Sequence, residues 1–424
     1  MSADPRSVLI ICDIVPGHRS AGEVRLTNVC ELFAERGSVA LLALDRHLDE
    51  RDGARVDALR SMGVDVIDVY GAMALRTGLT LRPYALVIIE FWHVAERAMT
   101  LVRAKQPWAT VAVDTVDLHF LREERGMTVG HGTTVGVEDR KRRELAVYLA
   151  ADVRIFTSAA ELDHYRVVSS VVDGNVIVCT VVHPRDRIAR DREPLVVFVG
   201  NFWHAPNLDG VKWFAEQVWP AVRAAVPEAT FAIAGSRVGP EVRRLGSITG
   251  IEVRGFVADI HALYEEARVV VAPLRFGAGV KGKVTEALAA GMPLVVTSIA
   301  TEGLGVAHEV DLLVADGAEE YAIELIRLLT QPALGEFLGS NGRAAIEGRC
   351  GVAQARSVLH SLAQSAVEGS DRVGGVPSVP WRLWSLPDRC WIRIQPILAA
   401  AAAVARSSRR RVGRLTPPDN RKRT

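Results

Sequence analysis

Residues 277–287 read Gly-Ala-Gly-Val-Lys-Gly-Lys-Val-Thr-Glu-Ala. An apolar, β-branched run at 269–273 precedes them and a helical pattern at 284–290 follows, which predicts strand, glycine-rich loop and helix in that order. A loop at the carboxyl end of a parallel strand is where open α/β sheets bind ligands. Glycines let backbone N–H groups approach an anion, and the start of the next helix carries partial positive charge. Lys281 and Lys283 have the charge to neutralise a diphosphate, and Glu286 can accept hydrogen bonds from ribose hydroxyls. The same residues also fit a tight turn with surface lysines, Lys283 pairing with Glu286 at i,i+3. Gly277-x4-Gly282-Lys283 comes within one residue of a P-loop, but Val284 stands where a Ser or Thr would hold Mg²⁺.

Strands and helices alternate outward from this loop. Towards the N-terminus the pattern predicts strands at 195–200, 230–235 and 251–255, with helices at 208–225, 241–245 and 260–266. Beyond the loop come strands at 294–297 and 311–315, then helices from 318 to about 366. A first series has strands at 8–12, 39–44, 64–69, 86–90, 110–114, 153–156 and 176–178. Helices at 21–36, 54–62, 94–104, 138–150 and 159–167 separate them, with a glycine-rich segment at 126–136. Such alternation means a parallel sheet covered on both faces. Between the series, charges with Pro184 and Pro194 mark a linker. The expected organisation is two Rossmann-like units at 1–183 and 195–368, a linker at 184–194 and a tail at 369–424.

Composition bounds the function. The 424 residues are 49% hydrophobic and 24% charged, which suits folded domains and excludes a disordered or fibrous chain. Fifty-one basic against 50 acidic residues leave +1, so a chain-wide basic field for nucleic acid is absent and no nucleic-acid partner is expected. The tail departs from this balance: Arg406, Arg409, Arg410, Arg411, Arg414, Arg421, Lys422 and Arg423 face one acid, Asp419. With Trp381, Trp384, Trp391 and an apolar stretch at 394–405, it is a candidate for peripheral membrane contact or a solvated basic tail. No signal peptide or run of 18 apolar residues is visible, and five scattered cysteines form no C-x-x-C pair. These features suggest the cytoplasm, with the inner face of the membrane as the tail's alternative. No D-x-D, H-E-x-x-H or G-x-S-x-G occurs, and no metal site is expected.

Three blocks now carry a family resemblance. They are Phe198-Val199-Gly200-x6-Asn207-x5-Trp213-Phe214, then Asp259 followed by Ala272-Pro273-Leu274-Arg275-x-Gly277-x-Gly279-x-Lys281-x-Lys283-x-x-Glu286, then Gly291-x-Pro293 followed by Glu302-Gly303-Leu304. Residues 195 to about 315 resemble the nucleotide-binding domain of retaining GT-B glycosyltransferases, the bacterial sugar transferases of the glycosyl transferases group 1 type. The resemblance implies a GT-B fold, an α/β architecture of two Rossmann-like domains facing across a cleft, with the acceptor side at 1–183 and the nucleotide-sugar side at 195–368. It implies transfer of a hexosyl residue from a nucleoside-diphosphate sugar, UDP or GDP foremost, to a hydroxyl acceptor. Retention of anomeric configuration, no metal and no further cofactor are implied with it. The family's E-x7-E is incomplete, because Ala278 takes the place of the first glutamate. Its Arg/Lys pair after the first strand is missing between Gly200 and Asp209. A GT-B nucleotide-sugar epimerase and a degenerate GT-B partner or scaffold protein stay open as alternatives.

By that resemblance the catalytic candidates are His119, in Asp114-Thr-Val-Asp117-Leu-His119, with Lys281 and Glu286. The donor and diphosphate candidates are Gly22, Gly200, Arg275, Gly277, Gly279, Lys281, Lys283 and Glu286. Trp203, His204, Asn207 and Glu302 are candidate sugar contacts. His119 reads equally as a capping or core histidine, and Gly22 as a packing residue. Ser158-x-x-Glu161 reads first as a capping box. The runs Phe91-Trp92-His93 and Phe202-Trp203-His204 each follow a strand, where aromatic rings serve either as sugar platforms or as ordinary core.

Overall fold

A computed structural model describes residues 7–17, 20–45, 50–69, 73–131, 135–169, 175–178 and 193–370. The linker before residue 193, the tail after 370, and His18 and Arg19 of the first glycine loop lie outside the described residues.

The first series holds β1 (Val8–Cys12), α1 (Ala21–Ala34), β2 (Val39–Ala43), α2 (Glu50–Ser61), β3 (Val64–Val66), α3 (Ala74–Leu81) and β4 (Leu86–Glu90). It continues with α4 (Trp92–Lys105), β5 (Thr110–Asp114), α5 (His119–Thr128), α6 (Val137–Ala150), β6 (Val153–Phe156), α7 (Ala159–Val168) and β7 (Asn175–Val178). The second opens with β8 (Leu195–Asn201), α8 (Ala205–Trp213), α9 (Trp219–Ala225), β9 (Thr230–Ser236), α10 (Pro240–Leu245), β10 (Ile251–Gly255) and α11 (Ile260–Glu266). It ends with β11 (Val269–Ala272), α12 (Gly282–Ala289), β12 (Leu294–Val296), α13 (Ser298–Thr301), β13 (Leu313–Val314), α14 (Ala318–Thr330), α15 (Pro332–Cys350) and α16 (Val352–Ser370).

Two sheets result, ordered β3-β2-β1-β4-β5-β6-β7 and β10-β9-β8-β11-β12-β13. Every strand pairing is parallel. Every residue of β1, Val-Leu-Ile-Ile-Cys, is buried, as helices on both faces require. One face of the first sheet packs Leu9, Ile11, Val87 and Ile89 with Trp92 and Tyr148. The other packs Ile10, Leu41 and Ile88 with Ala355, Leu359, Leu362 and Ala366 of α16. The last helix of the second series therefore returns to the first sheet, pinned by Arg356 on Glu35 at 2.8 Å through both carboxylate oxygens. The strand order reverses at β1/β4 and at β8/β11, the positions where parallel sheets open a ligand crevice. Among the described residues no helix is long and apolar enough to cross a membrane.

Three differences from the predicted elements have physical causes. The helix expected over 208–225 starts earlier and is interrupted by a π-helical turn, Phe214–Val218. Pro220 supplies the reason, since it has no N–H for the ladder and its ring crowds the preceding turn. Helix α5 was not expected at all. Its N-cap, Leu118, offers no capping side chain, and the carboxylate of Glu144 on α6 takes the His119 and Phe120 N–H groups at 2.9 Å each. Helix α3 was missed as well, and Gly78 in its middle explains why, since glycine disfavours helix interiors.

Candidate functional site

The 277–283 loop lies between the two sheets, with Gly277, Ala278 and Gly279 buried. Gly279 has φ +66°, and a Cβ there would stand 2.8 Å from Asp117 Cβ and 2.9 Å from the Val116 carbonyl oxygen. A Cβ on Gly282 would overlap Ala21 at the start of α1, so only glycine admits this approach. The Val280 N–H reaches Thr157 Oγ1 at 3.4 Å. Two loop carbonyls are held by cations, Gly277 O by Arg125 Nη1 and Gly279 O by Lys281 Nζ, each at 2.7 Å. Among the described residues, no backbone acceptor takes the N–H groups of Gly279, Lys281, Gly282 or Lys283. Three donors at the start of α12, with the Gly279 N–H ahead of them, are thus left for an anion.

The cations around the loop divide by partner. Lys283 Nζ sits 2.5 Å from Asn207 Oδ1 and 4.2 Å from the centre of the Phe198 ring. Burial lowers its pKa to about 7. Lys281 is buried and stands 3.6 Å from Glu302 Oε2; burial brings its pKa to about 8 against the pull of Glu302. Arg275 turns elsewhere. Its guanidinium grips Asp209 through two nitrogens, and His131 Nε2 joins the same carboxylate at 2.6 Å. Arg275 is therefore not retained as a diphosphate contact, because its charge is already matched. Glu302 is likewise committed to protein. Both of its oxygens accept from Arg125 at 2.7 Å, and His164 Nε2 lies 2.8 Å away. A sugar-contact role for Glu302 is not retained. Glu286 is half-buried on the second turn of α12. Gly200, next to last in β8, lies beside Asn207, whose Nδ2 donates to Asn201 O at 2.8 Å.

The first half answers with the turn after β5. Val116 has φ +59°, and the Asp117 N–H closes on Thr115 O at 2.7 Å, a three-residue turn that strains a β-branched residue. The surroundings hold it in place. Thr115 Oγ1 bonds Ile155 O at 3.0 Å, and Asp114 is paired with buried Arg25 at 2.6 Å. Burial would raise the Asp117 pKa, but Arg122 and His119 outweigh it and hold the carboxylate well below its usual range. His119 Nδ1 accepts from Trp92 Nε1 at 3.0 Å, so Nε2 carries the proton and faces Asp117 Oδ1 at 3.1 Å. Burial lowers the His119 pKa, which keeps the ring neutral. Phe91 and His93 lie tilted around it, with ring centroids 5.7 and 5.8 Å from His119. Gly22, on the first turn of α1, would place a Cβ 3.9 Å from Val116 Cγ1.

His204 lies between the halves. Desolvation and the charges of Arg122 and Lys283 hold its pKa down, while Asp117 pulls the other way. Its neighbour Trp203 is 75% exposed, with the Arg237 guanidinium 5.0 Å over its ring. Trp92, by contrast, is core. Ser158 caps α7 through the Glu161 N–H at 3.1 Å, half of the expected capping box, while Glu161 Oε2 takes the Thr157 N–H at 2.9 Å instead of that of Ser158. Sequence reasoning did not single out Arg125, Glu144 or His164. They act on partners far along the chain, and no local pattern marks them.

Comparison with known proteins bears on the second half and on the fold. Residues 193–331 match the family described as Glycosyl transferases group 1. An uncharacterized 44.6 kDa protein in the cps region of Klebsiella pneumoniae is 30% identical over 139 residues, covering 31% of this chain and 36% of that protein. The match thus spans about a third of that relative's length. Sucrose-phosphate synthase from Thermosynechococcus elongatus superposes with a TM-score of 0.65 at 16% identity, over 85% of this chain and 99% of that one. The Anabaena HepE protein in complex with UDP gives 0.61 at 15% identity, over 84% and 99%. Its complex with UDP-glucose gives 0.60 at 15% identity over the same shares. At such identities the likeness speaks to fold, and the fold is GT-B.

Proposed function

We propose that this chain is a glycosyltransferase that moves a hexosyl residue from a nucleoside-diphosphate sugar to a hydroxyl acceptor. The observation that carries the reading is the set of unclaimed amides on Gly279, Lys281, Gly282 and Lys283, opening into the crevice between two parallel sheets. They offer hydrogen bonds and the positive end of α12 where a diphosphate would leave. UDP is the first donor to test, because HepE is a structural neighbour bound to UDP and UDP-glucose.

In this reading Lys283 supplies the nearest positive charge to the departing phosphate, with the polar edge of His204 beside it. Glu286, Gly200 and Asn207 border the nucleotide, and Gly22 lets the turn after β1 approach it. His119, its tautomer set by Trp92, gives its Nε2 proton to Asp117 and so orients that carboxylate beside the sugar. Lys281 acts mainly on the Gly279 carbonyl, shaping the loop. The resemblance further implies a retaining, metal-independent step. The two halves exclude water from the donor. Transfer to a glycan, lipid or small-molecule hydroxyl is part of the proposal, as is a cytoplasmic site with membrane contact through the 369–424 tail.

The test is a thermal-shift and calorimetric screen against UDP, GDP, ADP and TDP, followed by product analysis. A bound nucleotide raises stability as RT ln(1 + [L]/Kd), so one base should stand out. Glu286→Ala should weaken that nucleotide. Failure of all four to bind would remove the donor site and leave the scaffold reading.

A further inference from the structure

Arg125, on α5 of the first half, reaches across to the second. One nitrogen donates both to Gly277 O and to Glu302 Oε2, and the other donates to Glu302 Oε1, all at 2.7 Å. The same second nitrogen stands 3.1 Å from His164 Nε2. Glu302 in turn lies 3.6 Å from Lys281 Nζ, whose own donor bond is to Gly279 O. One carboxylate therefore holds two cations, and each cation holds one carbonyl of the glycine loop. Desolvation would raise the Glu302 pKa, but Arg125 and Lys281 bring it down to about 2, so it stays ionised.

A trans peptide carries its C=O and the next N–H on opposite sides of one plane. Fixing the Gly277 carbonyl towards Arg125 turns the Ala278 N–H the other way. Fixing the Gly279 carbonyl on Lys281 turns the Val280 N–H away too, and it meets Thr157 Oγ1. Glycines at φ +153° and +66° have no preference that would set these planes by themselves. The side-chain network supplies what the glycines lack.

We infer that Arg125, from across the cleft, and Glu302 form a positioning pair that fixes the Gly277–Ala278 and Gly279–Val280 peptide planes, and with them the course of the chain between, so that the loop meets a diphosphate preformed. Neither residue need touch the ligand. The pair explains why Lys281 is buried against a carboxylate while Lys283 has only Asn207 and an aromatic face: the first shapes the loop, and the second is left for the anion. This inference rests on the donor reading above.

The experiment measures UDP affinity by calorimetry on the full chain, with melting temperature of the nucleotide-free protein recorded alongside. Arg125→Ala and Glu302→Gln should each weaken UDP by about tenfold to a hundredfold, the worth of a misplaced charge-assisted bond. Because the two act as one unit, the double variant should be no worse than the weaker single. Arg125→Lys should not restore binding, since an ammonium cannot span a carboxylate bidentately and a carbonyl together. Affinities within about twofold of wild type, in singles that melt normally, would overturn the pair. So would additive losses, which mark two unrelated effects. Should wild type bind none of the four nucleotides, the donor reading itself fails and this inference falls with it.

Discussion

Gly279 and Val116 touch across the cleft, and both have positive φ, +66° and +59°. Glycine occupies that region without steric penalty, whereas a β-branched residue there costs about 1–3 kcal/mol. The two sides of one cleft thus reach a positive φ by opposite routes. The 277–283 loop chooses residues that tolerate the shape. The turn after β5 forces a residue that does not, and relies on Asp114, Thr115 and Glu144 to hold it. The first takes its positive φ at no steric cost; the second strains a side chain and needs a finished fold to hold it. Strain of this kind survives only where the scaffold over-determines it, which is why such turns collect at working sites.

Exchanging the devices should break the comparison most strongly at Gly279. Valine there would meet both an unfavourable φ and the backbone oxygen of Val116, 2.9 Å from the new Cβ. Strain and overpacking together predict a loss of about 2–4 kcal/mol and the loss of UDP binding. Urea unfolding and calorimetry read both. A stability within about 0.5 kcal/mol of wild type would mean that the two loops do not meet in solution.

The contrast also explains what the sequence disclosed. The strands read from apolar, β-branched runs appear near the predicted places, because burial on both faces leaves little choice of residue. The glycine loop was legible for the same reason, since Gly277, Gly279 and Gly282 are the residue types their positions demand. Helix α5 was not legible, because its cap is Glu144, more than twenty residues away. The commitments of Arg275 and Glu302 were hidden too. As sequence, each is a charge near a phosphate loop. Only the fold brings Asp209 against one and Arg125 against the other.

A smaller effect separates the two sides by pH. The loop contains ammonium groups shifted into range, Lys283 at about 7 and Lys281 at about 8, while the Asp117 carboxylate opposite is held ionised throughout. An anion favours a protonated lysine. Below pH 7 Lys283 is already charged; above it, binding must draw a proton onto the amine. UDP affinity should therefore fall as pH rises from 7 to 9, by at most about tenfold per pH unit for each proton taken up. The phosphates of UDP do not confuse this window, since their last proton leaves near pH 6. His204 also faces Lys283, but its pKa is lowered to about 4, so it stays neutral over the range. Lys283→Met should flatten the first part of the profile. An affinity independent of pH between 7 and 9 would place Lys283 away from the phosphates.

The smallest effect lies at Val116, and its sign matters more than its size. Val116→Gly removes a strain of about 1–3 kcal/mol and introduces a glycine entropy cost of about 0.5–1 kcal/mol. It also gives up the side-chain contact near Gly22, where the Gly22 Cβ position lies 3.9 Å from Val116 Cγ1. These terms nearly cancel, and the net should be neutral to about 1 kcal/mol stabilising. At Gly279 the opposite exchange is expected to cost several times that. If urea unfolding instead shows Val116→Gly losing more than about 1 kcal/mol, the valine is contributing packing that exceeds its strain. The turn would then be an ordinary packed element, and the proposed division between a tolerant loop and a forced one would not hold.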